Sequence, residues 1–211
     1  MTRYADTLQE IIKEASRSRG RAHPYRLSAM TTQSALRNLP DRAIIWCYRH
    51  WLGLVTTLVL LYGSLPWLAP LLIAFGYYQL GGLLFYLYTP LCHQQPEQSF
   101  MLLGNQVAFC HREAAMYTSL FIGGLIFARV RQTLRPISVR LTLLLLLPLA
   151  LDGTTHLIND LLPTLGLRAG SDAIGSLNWW LRMITGILFA LAIVLGVYPR
   201  LEREFRGYPG R

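Results

Sequence analysis

The chain has 211 residues, enough for one compact unit, with 53% hydrophobic residues, 15% charged residues and a formal net charge of +9. Long apolar runs at that composition exclude an ordinary water-soluble globule and place the unit in a lipid bilayer. The arginines gather in residues 1–49, 129–140 and after Tyr198, beside apolar runs and without an aromatic-interleaved basic face, which favours cytoplasmic, lipid-facing segments over nucleic-acid binding.

The first 40 residues are polar and hold no short apolar core of a signal peptide, so membrane targeting falls to the first internal span. Thr7-Leu8-Gln9-Glu10 has the form of a helix N-terminal capping box, and Leu8, Ile11, Ile12 and Ala15 follow at helical spacing. This predicts a short amphipathic helix, either on the cytoplasmic membrane face or loose in the tail. Residues 17–40, rich in Arg, Ser and Pro, read as a linker, and Pro40-Asp41 as the start of a helix entering the bilayer through Trp51.

From Trp51 to Cys92 there is no charge, a length sufficient for two spans of about 20 residues. Gly63, Pro66, Pro70, Gly76, Gly81 and Gly82 interrupt it. Clear spans follow at about 114–128, 139–157 and 177–198. The 129–140 loop and the C-terminal tail each carry four arginines, and two spans separate them, so both belong on the cytoplasmic side. Placing the basic N-terminal segment there too requires an odd number of crossings before Cys92. One crossing at about 51–67, then a broken helix in the outer interface with Tyr77, Tyr78, Tyr86 and Tyr88, satisfies this. The expected fold is therefore an all-α integral membrane protein with four transmembrane helices and an interfacial broken helix. Residues 1–40 form a basic cytoplasmic segment, 41–200 the transmembrane domain and 201–211 a cytoplasmic tail. A five-span arrangement would leave one basic end on the wrong face.

The same parity places the 92–112 and 158–176 loops on one side. Two words stand in the first of them, Cys92-His93-Gln94-Gln95-Pro96 and Cys110-His111-Arg112-Glu113. Three readings of the cysteines stay open: a Cys92–Cys110 disulfide, a redox-active thiol pair, or metal binding by Cys92, His93, Cys110 and His111 with Glu113, whose donors suit zinc or copper. Cys47 reads as an ordinary reduced thiol. On the third predicted span Asp152, His156, Asn159 and Asp160 share a helical face, and Asn178, Arg182 and Thr185 do so on the fourth. Asp152 and Arg182 are equidistant from Leu167 in the connecting loop, which predicts similar depth and an ion pair, the alternative being an anion held by Arg182 and oriented by Asp152. Ala115, Ser119 and Gly123 form a small-residue ladder for close helix approach.

With these residues in hand, the chain resembles a widespread prokaryotic family of small integral membrane proteins of unknown function. The resemblance rests on Cys92-His93-Gln94, Pro96, Ser99-Phe100, Gly104, Gln106, Cys110, Arg112, Tyr117, Asp152-Gly153, Arg182 and Thr185-Gly186, and runs from about residue 65 to 198. Many relatives carry Cys where this chain has Glu113, and Arg where it has Gln98. The resemblance implies a membrane protein and supplies no activity.

Three functions fit this reading. The first is a membrane protein whose outer-face cluster, including Arg112, Asp152, His156 and Arg182, binds a metal ion or small anion. The second is a membrane thiol oxidoreductase working against a partner or quinone. The third is a structural subunit of a larger membrane complex. Oligomeric state is open.

Overall fold

The computed structural model describes residues 24–207 apart from 91, 163, 165 and 167–170. The capping box and amphipathic helix expected at 7–15 lie outside the described residues. The chain divides into two units, Met1–Cys47 and Tyr48–Arg211, and everything described below from Tyr48 onward belongs to the second.

Helix α1 runs over Pro24–Ala74. Residues 24–40 are thus helical where a linker was expected, with a proline in the first turn, where its missing N–H is not needed. Among the described residues, four helical segments are long and apolar enough to cross a bilayer: Arg42–Ala74, His111–Val130, Val139–Asn159 and Leu177–Arg206. The protein is a four-span, predominantly α-helical membrane protein.

Pro66 and Pro70 do not break α1, contrary to expectation. Pro66 has no N–H to give the Tyr62 carbonyl one turn back. The Tyr88 hydroxyl donates to that carbonyl instead, at 2.7 Å. The break comes at Gly76, whose φ of +86° a residue with a side chain rarely adopts. There Gly76 N–H donates to Ile73 O and Tyr77 N–H to Leu72 O, the paired bonds of a Schellman stop.

The next helix, α2 (Tyr78–Tyr88), has 11 residues and so spans about 16 Å, too short to cross. It folds back along α1: a Cβ on Gly81 would lie 2.5 Å from Ile73 Cγ1, and Tyr88 reaches Tyr62. This satisfies the odd-crossing requirement with one span.

The segment read as a polar loop is partly a β-hairpin. A 3-10 turn (Pro96–Gln98) leads into β1 (Ser99–Leu102), which pairs antiparallel with β2 (Asn105–Cys110). The two-residue turn has positive φ at both Leu103 (52°) and Gly104 (76°), matching the twist of a hairpin. Val107 and Phe109 on β2 are fully buried, with Phe109 stacked on Tyr117 and edge-on to Tyr88. Phe100 stacks on Trp67 of α1. These rings fasten the hairpin to the apolar helices.

Helix α3 (His111–Val130) packs closely on α5 (Leu177–Leu191), while α4 (Val139–Leu161) lies against α5 and is capped by Ser138. The expected ladder on α3 is used here: Cβ atoms at Gly123 and Gly186 would sit 2.7 Å from Val194 and 2.5 Å from the Arg112 carbonyl. Helix α5 continues through a π-helical turn (Ala192–Val197) into α6 (Tyr198–Arg206). Pro199 cannot donate to the Leu195 carbonyl, which accepts from Ile137 N–H at 3.2 Å. At this basic end the Trp51 indole donates to buried Glu202 at 2.9 Å, and Arg206 pairs with the same carboxylate.

Candidate functional site

Cys110 is the N-cap of α3, with φ −78° and ψ 163°, and Glu113 is the third helical residue after it. Side chains at these two positions meet over the first turn. The residue between them in phase, His111, turns the other way. It is 1% exposed and packs edge-on against Phe100, ring centroids 4.5 Å apart, with Trp179 at 6.3 Å. The expected ligand set is corrected on this point: His111 stands outside the group that converges.

Cys92 is brought to the same place by its loop. Its N–H donates to Tyr88 O at 3.0 Å, and Cys110 N–H donates to Cys92 Sγ at 3.3 Å. Gln94, at φ 48°, clamps the loop, its amide donating to Phe85 O (2.9 Å) and Ala108 O (3.2 Å) while Gln106 donates to the Gln94 carbonyl (2.6 Å). The glutamine of the Cys-His-Gln word is therefore a fastener between α2 and β2.

Cys92 Sγ, Cys110 Sγ and a Glu113 carboxylate oxygen all lie within 4.8 Å of one another, the group of metal-binding spacing among the described residues. Both thiols are free; the sulfurs are neighbours without a bond between them. The hydrogen bond from Cys92 lowers the Cys110 thiol to about 6, against the opposing effect of burial and with help from the Glu113 N–H and the Arg112 charge. That hydrogen bond, with burial, raises Cys92 far above the ordinary thiol range.

These donors form one wall of a cavity of about 180 Å³. Gly153 and His156 of α4, Arg182 of α5, Gln98 and His93, itself exposed, also line it. The ion pair expected between Asp152 and Arg182 is exchanged for two others. Arg112, at the start of α3, pairs with Asp152. Arg182, 1% exposed, pairs with Asp172 of the 158–176 loop at 3.0 Å and shares a 2.9 Å hydrogen bond with His156 Nε2. Gln98 donates to the other Asp172 oxygen at 3.0 Å, joining the two loops that parity had placed on one side. Burial alone would raise the Asp172 carboxyl, but the Arg182 hydrogen bond and charge outweigh it and hold the group below its usual range.

Residues 92–195 match the family described as "Predicted membrane protein (DUF2085)". The uncharacterized protein MJ1492 of Methanocaldococcus jannaschii is 30% identical over 118 residues, covering 55% of this chain and 67% of that protein. The chain belongs to this membrane-protein family. No solved structure matches it. The matched stretch opens at Cys92 and includes the whole cavity lining to Arg182.

Of the residues the sequence points to, Cys92, His93, Cys110, Arg112, Glu113, His156 and Arg182 line one cavity, Asp152 joins it through Arg112, and His111 turns away from it. The side chain of Asp160 is outside the described residues. Asp172 was missed. Its only signal was its place in a loop on the same side as the Cys words, and a loop carboxylate five residues before a helix has no periodicity to mark it.

Proposed function

We propose that this protein is a membrane metal-site protein, holding one divalent transition metal through Cys92, Cys110 and Glu113 at the wall of a polar cavity. The observation that carries this is the convergence of two sulfurs and one carboxylate oxygen within 4.8 Å. Two thiolates on one tetrahedral zinc lie about 3.8 Å apart, from Zn–S bonds near 2.3 Å, so small side-chain adjustments close the group on the ion. A mixed sulfur and oxygen set suits zinc better than copper(I), which favours soft ligands alone. Three protein donors leave a fourth position for a small ligand, and the cavity beside it carries Arg182 and His156.

By the positive-inside rule the site lies on the outer side, with the basic segment 1–40 and both termini cytoplasmic. A membrane-impermeant thiol reagent on intact cells should then spare Cys47. The decisive measurement is metal content of detergent-purified protein after zinc exposure, with cobalt(II) absorption as a second readout. We expect about one metal per chain and cobalt–thiolate charge-transfer bands, both lost in Cys92→Ser/Cys110→Ser protein of unchanged helicity. Equal metal in the variant would defeat the proposal.

A second reading is thiol–disulfide exchange, favoured by the lowered Cys110 thiol at a helix N-terminus. Cys110 thiolate attacks a partner disulfide and expels one partner thiolate. Cys92 then attacks the Cys110 sulfur, forming the Cys92–Cys110 disulfide and expelling the second. The partner is reduced by two electrons and the pair oxidised by two. Metal-free protein with one free thiol before reduction and three after would favour this reading over the first.

A further inference from the structure

At the opposite end of the molecule, α1 and α3 run antiparallel in a readable register. A Cβ on Gly63 would meet Tyr117 at 3.1 Å, and one on Gly124 would meet Thr56 at 3.0 Å. Each pair sums to 180, so Arg49 and Arg131 fall at one level and Leu60 lies level with Leu120, beside Phe121. Between these levels lies a second cavity, of about 740 Å³, separate from the thiol site. Small residues open it: Gly53, Thr56 and Gly124 take up little room between the helices. One end is lined by Arg49, His50 and Arg131, the two arginines making it cationic, whereas the other is lined by Leu60 and Phe121.

The dimensions point to an occupant. From His50 to Leu60 is ten residues, hence about 15 Å of helix axis. That is half of the roughly 30 Å hydrocarbon thickness, the depth of one leaflet's acyl chains. The volume lies within the range of about 300–1,000 Å³ typical of sites that enclose organic ligands. A molecule with an apolar chain one leaflet long and an anionic head fits both ends. The bilayer around an α-helical span supplies such molecules directly, and arginines at the membrane edge attract their phosphates.

We infer that the α1–α3 groove is a binding site for an anionic phospholipid, an acyl chain seated over Gly53, Thr56 and Gly124 with the headgroup phosphate between Arg49 and Arg131. This site is independent of the metal proposal and shares no residue with it.

The test is native mass spectrometry of the full chain, released from micelles doped with equal amounts of phosphatidylglycerol and phosphatidylcholine of identical acyl chains. Wild-type protein should retain phosphatidylglycerol at least fivefold over phosphatidylcholine. Arg49→Gln/Arg131→Gln should bring that ratio close to one. Gly53→Leu should lower retention of both lipids several-fold, since a Cβ at Gly53 meets nothing within 4 Å and its side chain can fill the groove without a clash. Thr57→Leu, at an exposed groove position, serves as a second filling variant should Gly53→Leu fail to fold. Unchanged retention in a folded filling variant would overturn the inference. So would no wild-type preference between the lipids, or displacement of phosphatidylglycerol by millimolar glycerol phosphate, which would mark a site for the phosphate alone.

Discussion

Arg182→Ala probes the network that holds the cavity together. Arg182 is almost wholly buried, and its pairing carboxylate on Asp172 keeps 17% of its side-chain surface in contact with solvent. Removing one partner of a buried pair costs about 3–5 kcal/mol, because the other charge is stranded. The partial exposure of Asp172 lets water reach the stranded carboxylate, so the loss should fall near the low end, about 3 kcal/mol. Asp172→Asn removes that charge and leaves Arg182 hydrogen-bonded to His156. The Arg182→Ala/Asp172→Asn double variant should therefore be more stable than the sum of its parts by about 1–2 kcal/mol. The matched cycle with Asp152→Asn should show a smaller coupling, since Asp152 is paired with Arg112. Unfolding in mixed micelles of increasing SDS fraction, followed by circular dichroism, measures the wild type and all five variants. A coupling of Arg182 to Asp152 larger than that to Asp172 would refute the pairing described here and restore the simpler hairpin pair.

Three further outcomes follow from local geometry. Gly186→Val should destabilise by about 2–3 kcal/mol, as overpacking against the Arg112 carbonyl demands, whereas Gly153→Ala, whose Cβ meets only Arg112 Nη1 at 3.7 Å, should be neutral or gain up to about 1 kcal/mol in the same unfolding assay. Tyr88→Phe should cost about 1 kcal/mol by leaving the Tyr62 carbonyl without its donor, and the loss should shrink in a Pro66→Ala background, where a backbone N–H is again present. In metal-free protein the alkylation rate of Cys110 should reach half its maximum near pH 6. The folded Cys110 thiol lies below the unfolded value of about 8.5 and its partner Cys92 above it, so the pair's stabilisation grows as pH rises from about 6 to about 8.5 and shrinks beyond, where the unfolded chain loses a second proton that Cys92 keeps. A thermal-stability profile measured from pH 9 to 5 reads that sign, and Cys110→Ser should remove it.

Much of the architecture was legible because a bilayer tolerates few backbone solutions. Long uncharged runs read as helices, and arginine placement with span parity favoured one crossing before Cys92 over the five-span rival. Parity also put the two polar loops together, which the Gln98–Asp172 contact makes concrete. Other features were decided by contacts distant in sequence. Pro66 reads as a helix breaker until Tyr88, 26 residues from Tyr62, supplies the missing donor. The Leu103-Gly104 turn is an inconspicuous hairpin signal, and its strands gain apolar partners from other elements, among them Trp67, Tyr88 and Tyr117.

The same division holds at the site. Residue types and their clustering singled out the cysteines, Glu113 and the intramembrane charges, because thiols, carboxylates and guanidinium groups are costly at such positions without a partner or a task. Which of them touch was settled in three dimensions. Helix phase at the start of α3 brings Cys110 and Glu113 together and turns His111 into an aromatic pocket. The approach of α3 to α5 across Gly186 sets Arg112 opposite Asp152 and leaves Arg182 to a carboxylate from the following loop. Composition and periodicity report what each element must bury, but pairing depends on distances between elements, and these exist only once the helices have packed.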